Sequence, residues 1–283
     1  YGAGIGYYRE LIGGGATEVV EVHNERNPLF PGIARPEPIG LNLGDLMRTV
    51  TNTRAAIGFA TDGDADRVGV VDENGKYVDQ LRVFALLALY LLDVRGWRGP
   101  MVKSLSTTSM IDTLGALYNV PVYETPVGFK YIGPKMMEKD AMIGGEESGG
   151  FGFRGHIPER DGMLAGLFIT DMMVKLGKSP SQLVEYLFSK VGPHYYDRAD
   201  FEFPMERREE IIQRIRSNPP AAIDGSPVVR IQTEDGFKYH TADGSWLLIR
   251  FSGTEPVIRI YTETNDPARV RRILEAGKEL AGI

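Results

Sequence analysis

Three aspartates stand at alternating positions in the segment TDGDADR, directly after a predicted apolar strand. Asp62, Asp64 and Asp66 are separated by Gly63 and Ala65, which are small enough to let the backbone wrap around a cation. Carboxylates at this spacing repel one another unless a metal ion neutralises them. The pattern therefore predicts a site for a hard divalent cation, and a solvated acidic turn is the alternative.

A calcium-binding loop of the EF-hand type is a second interpretation of the same segment, because Glu73 falls at the twelfth position of such a loop. The glycine that this loop needs at its sixth position is replaced by Arg67, and the flanking segments are predicted strands rather than helices. An acidic cluster with open coordination positions favours Mg²⁺ held against a phosphate, with the calcium loop as the alternative.

A second loop, GGEESGG, follows another short predicted strand and is rich in glycine on both sides. Glu146 and Ser148 offer a carboxylate and a hydroxyl to the hydroxyl groups of a sugar, while the glycines let a ligand approach the backbone. Taken alone, this segment also fits a flexible surface turn. His156, Arg160 and Asp161 add titratable and cationic groups downstream.

The third loop, RFSGTEP, lies between two predicted strands and combines hydroxyl groups, a glycine and a cation. Its candidate ligand groups are Arg250, Ser252, Gly253 and Thr254, and Arg259 follows nine positions after Arg250. Hydroxyls, exposed backbone N–H groups and a guanidinium form a cradle that suits phosphate, with a capped turn as the alternative. An anion would have to be attracted locally here, because the chain carries a net charge of −6.

Two further segments carry candidate groups that also have structural explanations. Lys130 follows a predicted strand and could reach a phosphate or a sugar, or it could begin a helix in solvent. The hydroxyl-rich residues 103–109 precede an apolar periodic segment. Helix capping by Ser106 or Thr107 explains them better than a nucleophilic serine, since no paired base is apparent.

These loops need a scaffold, and helices alternate with strands over most of the predicted order of elements. We predict an α/β protein with two mixed or parallel α/β sheet domains, the first incomplete, followed by a smaller α+β C-terminal domain. Their boundaries are predicted at 1–78, 79–192 and 193–283. The first domain is expected to contain strands at 18–22, 55–60 and 68–71, and Asn74 with Gly75 predicts a hairpin.

The composition limits the classes of protein that the chain can belong to. Its 42% hydrophobic and 25% charged residues are typical of a globular protein, and its negative charge argues against binding to nucleic acid or an anionic membrane. The chain has no cysteine, which excludes disulfides and thiol catalysis and fits a cytoplasmic location. The longest apolar run, 83–92, predicts a buried helix rather than a membrane span.

Together and in this order, TDGDADR, GEESGG and RFSGTEP resemble the α-D-phosphohexomutase superfamily, which includes phosphoglucomutase and phosphomannomutase. The resemblance covers essentially the whole chain. It implies a fold with four domains around a cleft, of which this chain would hold the later part of the second, the third and the fourth. In that family an active-site phosphoserine phosphorylates a hexose phosphate, the bisphosphate turns round, and the opposite phosphoryl group returns to the serine.

The resemblance also implies roles for individual residues. The Mg²⁺ ligands would be Asp62, Asp64 and Asp66, and the groups that bind the substrate would be Arg67, Glu146, Ser148, Arg250, Ser252, Gly253 and Thr254. Arg160 falls near the place of a lysine that is proposed as general acid/base in phosphoglucomutases. Because arginine stays protonated, a phosphate or orienting contact suits it better.

The family's serine loop, of the form T-A-S-H-N-P, belongs to a first domain that has no counterpart here, and no Ser-His pair occurs in the sequence. The chain also opens at Tyr1 rather than at methionine. We therefore expect the C-terminal part of a phosphohexomutase that is inactive alone, with the N-terminal domain, hexose phosphates and hexose 1,6-bisphosphate as partners. A non-catalytic phosphosugar- and metal-binding protein that naturally lacks the serine domain is the alternative. GEESGG favours glucose or mannose, but glucosamine stays open.

Overall fold

The computed structural model describes residues 1–253 and 255–283, so Thr254 lies outside the described residues. The chain divides into two compact units, Tyr1–Val191 and Gly192–Ile283. The first combines helices with one antiparallel and one mixed sheet, and the second is built on an antiparallel sheet. The predicted fold class is confirmed by this architecture. The further division of the first unit near residue 78 stays a prediction, since residues 1–191 form one unit.

The first part of the first unit is a small antiparallel sheet with two helices beside it. The helices are α1 (Tyr7–Ile12) and α2 (Gly44–Thr53), with a 3-10 turn at Gly40–Asn42. The strands are β1 (Gly58–Thr61), β2 (Val68–Val71) and β3 (Tyr77–Val78), in the order β1-β2-β3. The predicted hairpin between β2 and β3 is confirmed. The Asp72 carboxylate closes its turn by accepting hydrogen bonds from the backbone N–H groups of Asn74 and Lys76.

The strand predicted at 18–22 is wrong for this structure. Within the described residues that segment joins no sheet, and only the adjoining Thr17 makes an isolated bridge, to Gly14. Strand-forming residue types are insufficient by themselves, because a strand is stable only when a neighbouring strand satisfies its backbone groups.

The second part of the first unit alternates helices and strands around a four-stranded sheet. Its helices are α3 (Gln80–Leu89), which continues as a π-helical turn over Tyr90–Val94, α4 (Met110–Tyr118), α5 (Phe129–Lys139), α6 (Gly162–Leu176) and α7 (Pro180–Val191). Its strands are β4 (Met101–Ser104), β5 (Val122–Thr125), β6 (Ile143–Gly145) and β7 (Phe151–Phe153). The order is β5-β4-β6-β7, with β4 parallel to β5 and β6, and β7 antiparallel to β6.

The core of this unit forms around α3, which is apolar on almost every side. Every residue of the helix except Arg82 is buried, and the helix packs against α4, α6 and α7. A helix without a polar face has to be surrounded by other elements, so the predicted buried helix at 83–92 is confirmed. None of the helices in the described residues meets the length and hydropathy that a transmembrane span requires.

The sheet order places the loops that follow β4 and β6 side by side. After β4 the chain passes to β5, which lies on one side of β4 in the sheet. It then returns through α5 to β6, which lies on the other side of β4. The carboxyl ends of two parallel strands whose connections diverge in this way leave a crevice that commonly binds ligands. The loop after β4 begins α4 differently from the prediction. Thr108, rather than Ser106 or Thr107, accepts a hydrogen bond from the Met110 N–H at 2.9 Å.

In the residues that the structure describes, the second unit contains a six-stranded antiparallel sheet and two helices, in agreement with the predicted α+β domain. Its strands are β8 (Tyr195–Glu202), β9 (Ala222–Ile223), β10 (Ser226–Gln232), β11 (Phe237–Thr241), β12 (Trp246–Phe251) and β13 (Val257–Thr264), in the order β8-β13-β12-β11-β10-β9. Its helices are α8 (Arg208–Ser217), preceded by a 3-10 turn at Met205–Arg207, and α9 (Pro267–Ala281). The RFSGTEP segment connects β12 to β13.

Candidate functional site

The aspartate loop is a tight connection between two paired strands. Thr61 at the end of β1 lies opposite Val68 at the start of β2, so only six residues close the turn. Ala65 adopts the left-handed conformation with φ of 65°. One carboxylate oxygen from each of the three loop aspartates consequently lies within 4.8 Å of the other two. Asp62 is buried, Asp66 is half-buried and Asp64 is exposed.

Arg67 anchors the buried end of this cluster. Its backbone N–H and its Nε both donate to the Asp62 carboxylate, at 3.1 and 2.5 Å. The same guanidinium lies 3.6 Å from a Glu37 oxygen and 3.7 Å from an Asp66 oxygen. Arg67 is therefore held among carboxylates, at the centre of the acidic loop.

Asp66 is a half-buried carboxylate of the loop whose pKa is raised. Burial raises its pKa to about 7, the charge of Asp62 acts in the same direction, and Arg160 opposes the shift. One of its oxygens, Oδ1, is buried without a hydrogen-bond partner. A converging set of oxygen ligands with such an unsatisfied atom fits a hard divalent cation.

Arg160 connects the aspartate loop with the GGEESGG loop. Its guanidinium donates to Asp66 Oδ2 at 2.7 Å and lies 3.5 Å from Glu146 Oε2. The guanidinium also lies over the Phe129 ring, 5.7 Å from its centroid. Burial raises the pKa of Glu146, and the charge of Arg160 acts against that shift. The structure thus brings the predicted metal-binding and sugar-binding carboxylates into one polar cluster.

The two loops are also joined through their backbones. The Val68 N–H donates to the Gly149 carbonyl at 3.1 Å. The Gly162 N–H, at the start of α6, donates to the Ala65 carbonyl at 3.2 Å and holds the aspartate loop against that helix. A side chain at Gly150 would be impossible without rearrangement, because its Cβ would lie 2.2 Å from Cδ of Arg160. The glycines of GGEESGG therefore permit close packing of Arg160 against the loop.

Ser148 and His156 lie near this cluster in different settings. Ser148 is half-buried in the turn that follows β6, where the Glu146 N–H donates to the Gly150 carbonyl at 3.0 Å. His156 instead lies 2.9 Å from Asp161, whose other carboxylate oxygen caps α6 by accepting from a backbone N–H. The histidine is thus engaged at a helix start rather than among the clustered carboxylates.

Lys130 is exposed on the first turn of α5. Its ammonium lies 5.1 Å from the Tyr131 ring centroid. Among the described contacts, none links it to Arg160 or to the clustered carboxylates. The structure therefore does not bring this predicted ligand into the polar cluster.

Arginines lie around the RFSGTEP loop of the second unit. Arg250 on β12 lies directly across from Arg259 on β13 in the strand register, so their side chains share one face of the sheet. Arg250 Nε lies 3.1 Å from Asp235, and Arg259 Nη2 lies 2.9 Å from Glu255. Each guanidinium is thus paired with a carboxylate of the same unit.

Ser252 holds the turn of this loop. The residue is buried, its hydroxyl accepts from the Glu255 N–H at 3.2 Å, and its N–H donates to the Val257 carbonyl at 2.9 Å. Gly253 is exposed beside it, whereas the predicted ligand Thr254 lies outside the described residues.

Arg208, which was not predicted, donates to the Ser252 carbonyl at 3.1 Å and lies over the Phe251 ring. It adds a third arginine to the surroundings of the loop, beside Arg250 and Arg259. A cation at the first residue of a helix interacts unfavourably with the positive end of the helix dipole. The unusual position of Arg208 was therefore a possible signal of a functional role.

Three family models describe phosphoglucomutase/phosphomannomutase domains that match the chain in succession. They are the α/β/α domain II over residues 1–75, the α/β/α domain III over residues 79–191 and the C-terminal domain over residues 205–279. Together these matches leave few residues of the chain uncovered.

Individual relatives agree with these models. A phosphoglucomutase/phosphomannomutase from Thermococcus kodakarensis is 34% identical over 263 residues, which are 93% of this chain and 55% of the relative. A protein of Methanopyrus kandleri, named a probable phosphoglucosamine mutase, is 32% identical over 90% of this chain and 54% of its own length. The chain thus spans about half the length of these curated relatives.

A solved structure is similar over the entire chain. A Thermus thermophilus protein, provisionally named a phosphomannomutase, has a TM-score of 0.83 and 35% identity, and the match covers 100% of this chain and 59% of that chain. The three successive domain models and these relatives show that the chain belongs to the phosphoglucomutase/phosphomannomutase family of the α-D-phosphohexomutase superfamily.

Proposed function

We propose that this chain carries the metal-, sugar- and phosphate-binding parts of a mutase that interconverts hexose 1-phosphate and hexose 6-phosphate. The observation that carries the proposal is the bridge formed by Arg160, at 2.7 Å from Asp66 and 3.5 Å from Glu146. This bridge joins a cluster suited to a cation with a loop suited to a sugar. Such a combination is what a phosphorylated sugar bound beside a divalent metal ion requires.

Asp62, Asp64 and Asp66 are the proposed Mg²⁺ ligands. All offer carboxylate oxygens, which this small hard ion prefers, and the exposed position of Asp64 leaves room for water or a phosphate oxygen as further ligands. When bound, Mg²⁺ would supply positive charge that stabilises a phosphoryl group during transfer. Arg67, fixed against Asp62, would hold the buried ligand in place and direct positive charge toward the phosphate.

Glu146 and Ser148 are proposed to bind sugar hydroxyls. Glu146 is buried at the end of β6, where an ionised carboxylate can accept hydrogen bonds from two neighbouring hydroxyl groups. Its pKa is raised by burial, and the positive charge of Arg160 favours the ionised form. Arg160 stays protonated and would orient Glu146 or contact a phosphate rather than transfer a proton.

Arg250, Ser252 and Gly253 are proposed to hold the phosphate that is not being transferred, and Thr254 stays a ligand predicted from the sequence. The three arginines around the loop supply the charge that a phosphate dianion needs, and the exposed Gly253 allows close approach to the backbone. Lys130 also stays a prediction, as an exposed group that a ligand could recruit.

Phosphoryl transfer of this family type needs a phosphoserine that gives its phosphoryl group to one sugar oxygen and then accepts the phosphoryl group from the other. These 283 residues contain no serine loop of the T-A-S-H-N-P form. We therefore propose that the chain alone binds hexose phosphates but turns them over only together with a serine-bearing domain. The names of the relatives include both phosphoglucomutase/phosphomannomutase and phosphoglucosamine mutase, so both sugar classes belong in the test.

Calorimetric titration of the chain with the 1-phosphates of glucose, mannose and glucosamine, with and without Mg²⁺, tests binding. We expect at least one sugar phosphate to bind more tightly with Mg²⁺, and the unphosphorylated sugar to bind far more weakly. A coupled mutase assay with an added serine-bearing domain then tests turnover. Binding without turnover on every sugar phosphate would favour the non-catalytic alternative, and an absence of binding would contradict both functions.

A further inference from the structure

A carboxylate from outside the aspartate loop reaches Arg67. Glu37 lies in the segment that precedes the 3-10 turn at Gly40–Asn42, and its Oε1 atom lies 3.6 Å from Arg67 Nη1. The side chains of Glu37 and Arg67 are 30% and 23% exposed, so both are partly buried. Both residues belong to the first compact unit, and the contact is therefore a feature of that unit itself. Glu37 was not predicted as a site residue.

The backbone around Glu37 is held from several sides. Glu37 stands between Pro36 and Pro38, and a residue that precedes a proline is largely restricted to extended backbone conformations. The Asn42 side-chain amide donates to the Glu37 carbonyl at 2.8 Å. The buried Gln80 side-chain amide, at the start of α3, donates to the Pro38 carbonyl at 3.2 Å. The Glu37 side chain therefore extends from a constrained segment.

This segment packs directly on β2, the strand that follows the aspartate loop. A Cβ at Gly69 would lie 2.3 Å from the Pro38 carbonyl oxygen, so the close approach depends on the glycine. Gly69 comes only two positions after Arg67 in the chain. The packing of the backbone therefore places Glu37 beside Arg67, and the carboxylate would remain there if the guanidinium changed its other partners.

Arg67 also contacts two of the proposed metal ligands. Its Nε donates to Asp62 Oδ2 at 2.5 Å and lies 3.7 Å from Asp66 Oδ1. A divalent cation bound to these carboxylates would repel a guanidinium at the same place. The contact with Glu37 involves a different nitrogen, Nη1, and Glu37 does not belong to the group of described carboxylates whose oxygens converge. The guanidinium thus has an anionic partner that a bound ion would not occupy.

The buried ligand Asp62 keeps a second contact with Arg67 that does not involve the side chain. The Arg67 backbone N–H donates to Asp62 Oδ1 at 3.1 Å. Asp62 can therefore stay in place while the guanidinium releases its other oxygen.

We propose that Glu37 is a positioning residue that receives the Arg67 guanidinium when a divalent cation binds to the aspartate loop. Movement of the guanidinium toward Glu37 would reduce its competition with the ion for Asp62 and Asp66. It would also keep a positive charge beside the ion, where a phosphate group would bind. The inference rests on the proposed Mg²⁺ site, and it adds a residue that tunes the affinity of this site without binding the ion.

A double-mutant cycle tests whether Glu37 acts through Arg67. Glu37→Gln, Arg67→Gln and the double variant would each be titrated calorimetrically with magnesium chloride in the absence of a sugar phosphate. We expect Glu37→Gln to weaken Mg²⁺ binding about tenfold when Arg67 is present, because the guanidinium then stays on Asp62 and Asp66. In the Arg67→Gln chain it should weaken binding less than about threefold, since only a neighbouring charge is lost.

Glu21→Gln is the matched control. Glu21 is also a partly buried carboxylate that is paired with an arginine, at 2.8 Å from Arg9 Nε, and it does not belong to the aspartate cluster. We expect this substitution to leave Mg²⁺ affinity unchanged with or without Arg67. Circular dichroism of every variant would establish that the chain is folded.

Nuclear magnetic resonance of the Arg67 side chain observes the movement directly and does not need an Arg67 variant. Saturating Mg²⁺ should shift the Nε–H resonance of Arg67 in the isotope-labelled chain, because this group leaves the Asp62 carboxylate. The shift should be smaller in the Glu37→Gln chain, where the guanidinium has lost its alternative partner.

The outcomes separate this inference from the proposed function. Equal effects of Glu37→Gln with and without Arg67, or an Arg67 resonance that saturating Mg²⁺ leaves in place, would overturn the role of Glu37 while the metal site stands. A loss of affinity in Glu21→Gln as large as in Glu37→Gln would also overturn it. An absence of Mg²⁺ binding to the unaltered chain would contradict the proposed metal site, and the inference with it.

Discussion

The aspartate cluster of the first unit and the arginine cluster of the second present opposite electrostatic situations. In the first, carboxylate oxygens converge within 4.8 Å, one buried oxygen has no hydrogen-bond partner, and Arg160 is shared between Asp66 and Glu146. In the second, Arg250 and Arg259 are each paired with a carboxylate of the same unit.

This difference teaches how each ligand would bind. A cation can add to the aspartate cluster because its negative charge is incompletely neutralised, so the gain in binding should be large. An anion at the arginine loop must compete with carboxylates that already occupy the guanidinium groups. We therefore expect single substitutions to have greater effects on cation binding than on anion binding.

The largest effect should come from Asp64→Ala, which removes an exposed, proposed metal ligand without disturbing a buried ion pair. We expect Mg²⁺ affinity to fall about 100-fold or more. Removing a residue that binds the ion directly should weaken binding more than removing a residue that only holds a ligand in place. Titration calorimetry measures it. Asp45→Ala, which removes an equal charge at an exposed helix position, should leave the affinity nearly unchanged. Equal losses in the two variants would mean that only general charge matters.

Arg160→Gln should change two affinities in opposite directions. At about pH 8 we expect glucose 1-phosphate to bind about tenfold more weakly, because the guanidinium is lost. We expect Mg²⁺ to bind about threefold more tightly, because the guanidinium no longer competes with the ion for the Asp66 carboxylate. Arg154→Gln, which removes a half-buried guanidinium paired with Asp140, is the matched control. Calorimetric titrations with each ligand measure both changes. Parallel losses of both affinities would indicate a structural defect and contradict the bridging role.

Arg250→Gln should have a smaller effect, confined to anions. We expect glucose 1-phosphate affinity to fall about three- to fivefold and Mg²⁺ affinity to stay constant, because the guanidinium is already paired with Asp235. Asp235→Asn should increase phosphate affinity by a similar factor, since it releases the guanidinium. If Asp235→Asn instead weakens phosphate binding, internal pairing does not limit the arginine loop, and the contrast between the two clusters fails.

Asp66→Asn should produce the smallest change, in the thermal stability of the metal-free chain. The pKa of Asp66 is raised from the ordinary 3.8 to about 7 in the folded chain. Between pH 3.8 and about pH 7, the folded chain therefore keeps a proton on Asp66 that the unfolded chain has lost. The free energy of unfolding consequently falls as the pH rises through this interval. Because asparagine does not titrate, Asp66→Asn removes this decrease in the free energy of unfolding. The variant should raise Tm by roughly 2–4 °C at about pH 8, with little change at about pH 4. Scanning fluorimetry measures both, and equal shifts at the two pH values would contradict the assignment.

Much of the scaffold could be predicted because local patterns and packing agree. The apolar run at 83–92 has no polar face and therefore had to be a buried helix, and Asn74 with Gly75 specified its hairpin by turn chemistry. The aspartate spacing in a short loop also made convergence of the carboxylates predictable. These features depend on residues that are close together in the sequence.

Features that depend on distant segments could not be predicted in the same way. The contact of Arg160 with Asp66 needs β7 to return antiparallel beside β6, and no local pattern specifies which carboxylate the guanidinium meets. Arg208 reaches the Ser252 carbonyl across 44 positions of sequence. Residues 18–22 have strand-forming side chains, but a strand also needs a partner, and local composition cannot supply one.

Gly162 provides the N–H that holds the Ala65 carbonyl, and a Cβ there would lie 2.4 Å from the carbonyl oxygen of Arg67. This bond fastens the aspartate loop to the start of α6, and the bond from Val68 to Gly149 joins the start of β2 to the GGEESGG loop. We therefore expect a rearrangement that admits or releases a ligand to move the aspartate loop and the GGEESGG loop together. Such a coupled movement would preserve the spacing between a bound cation and a bound carbohydrate.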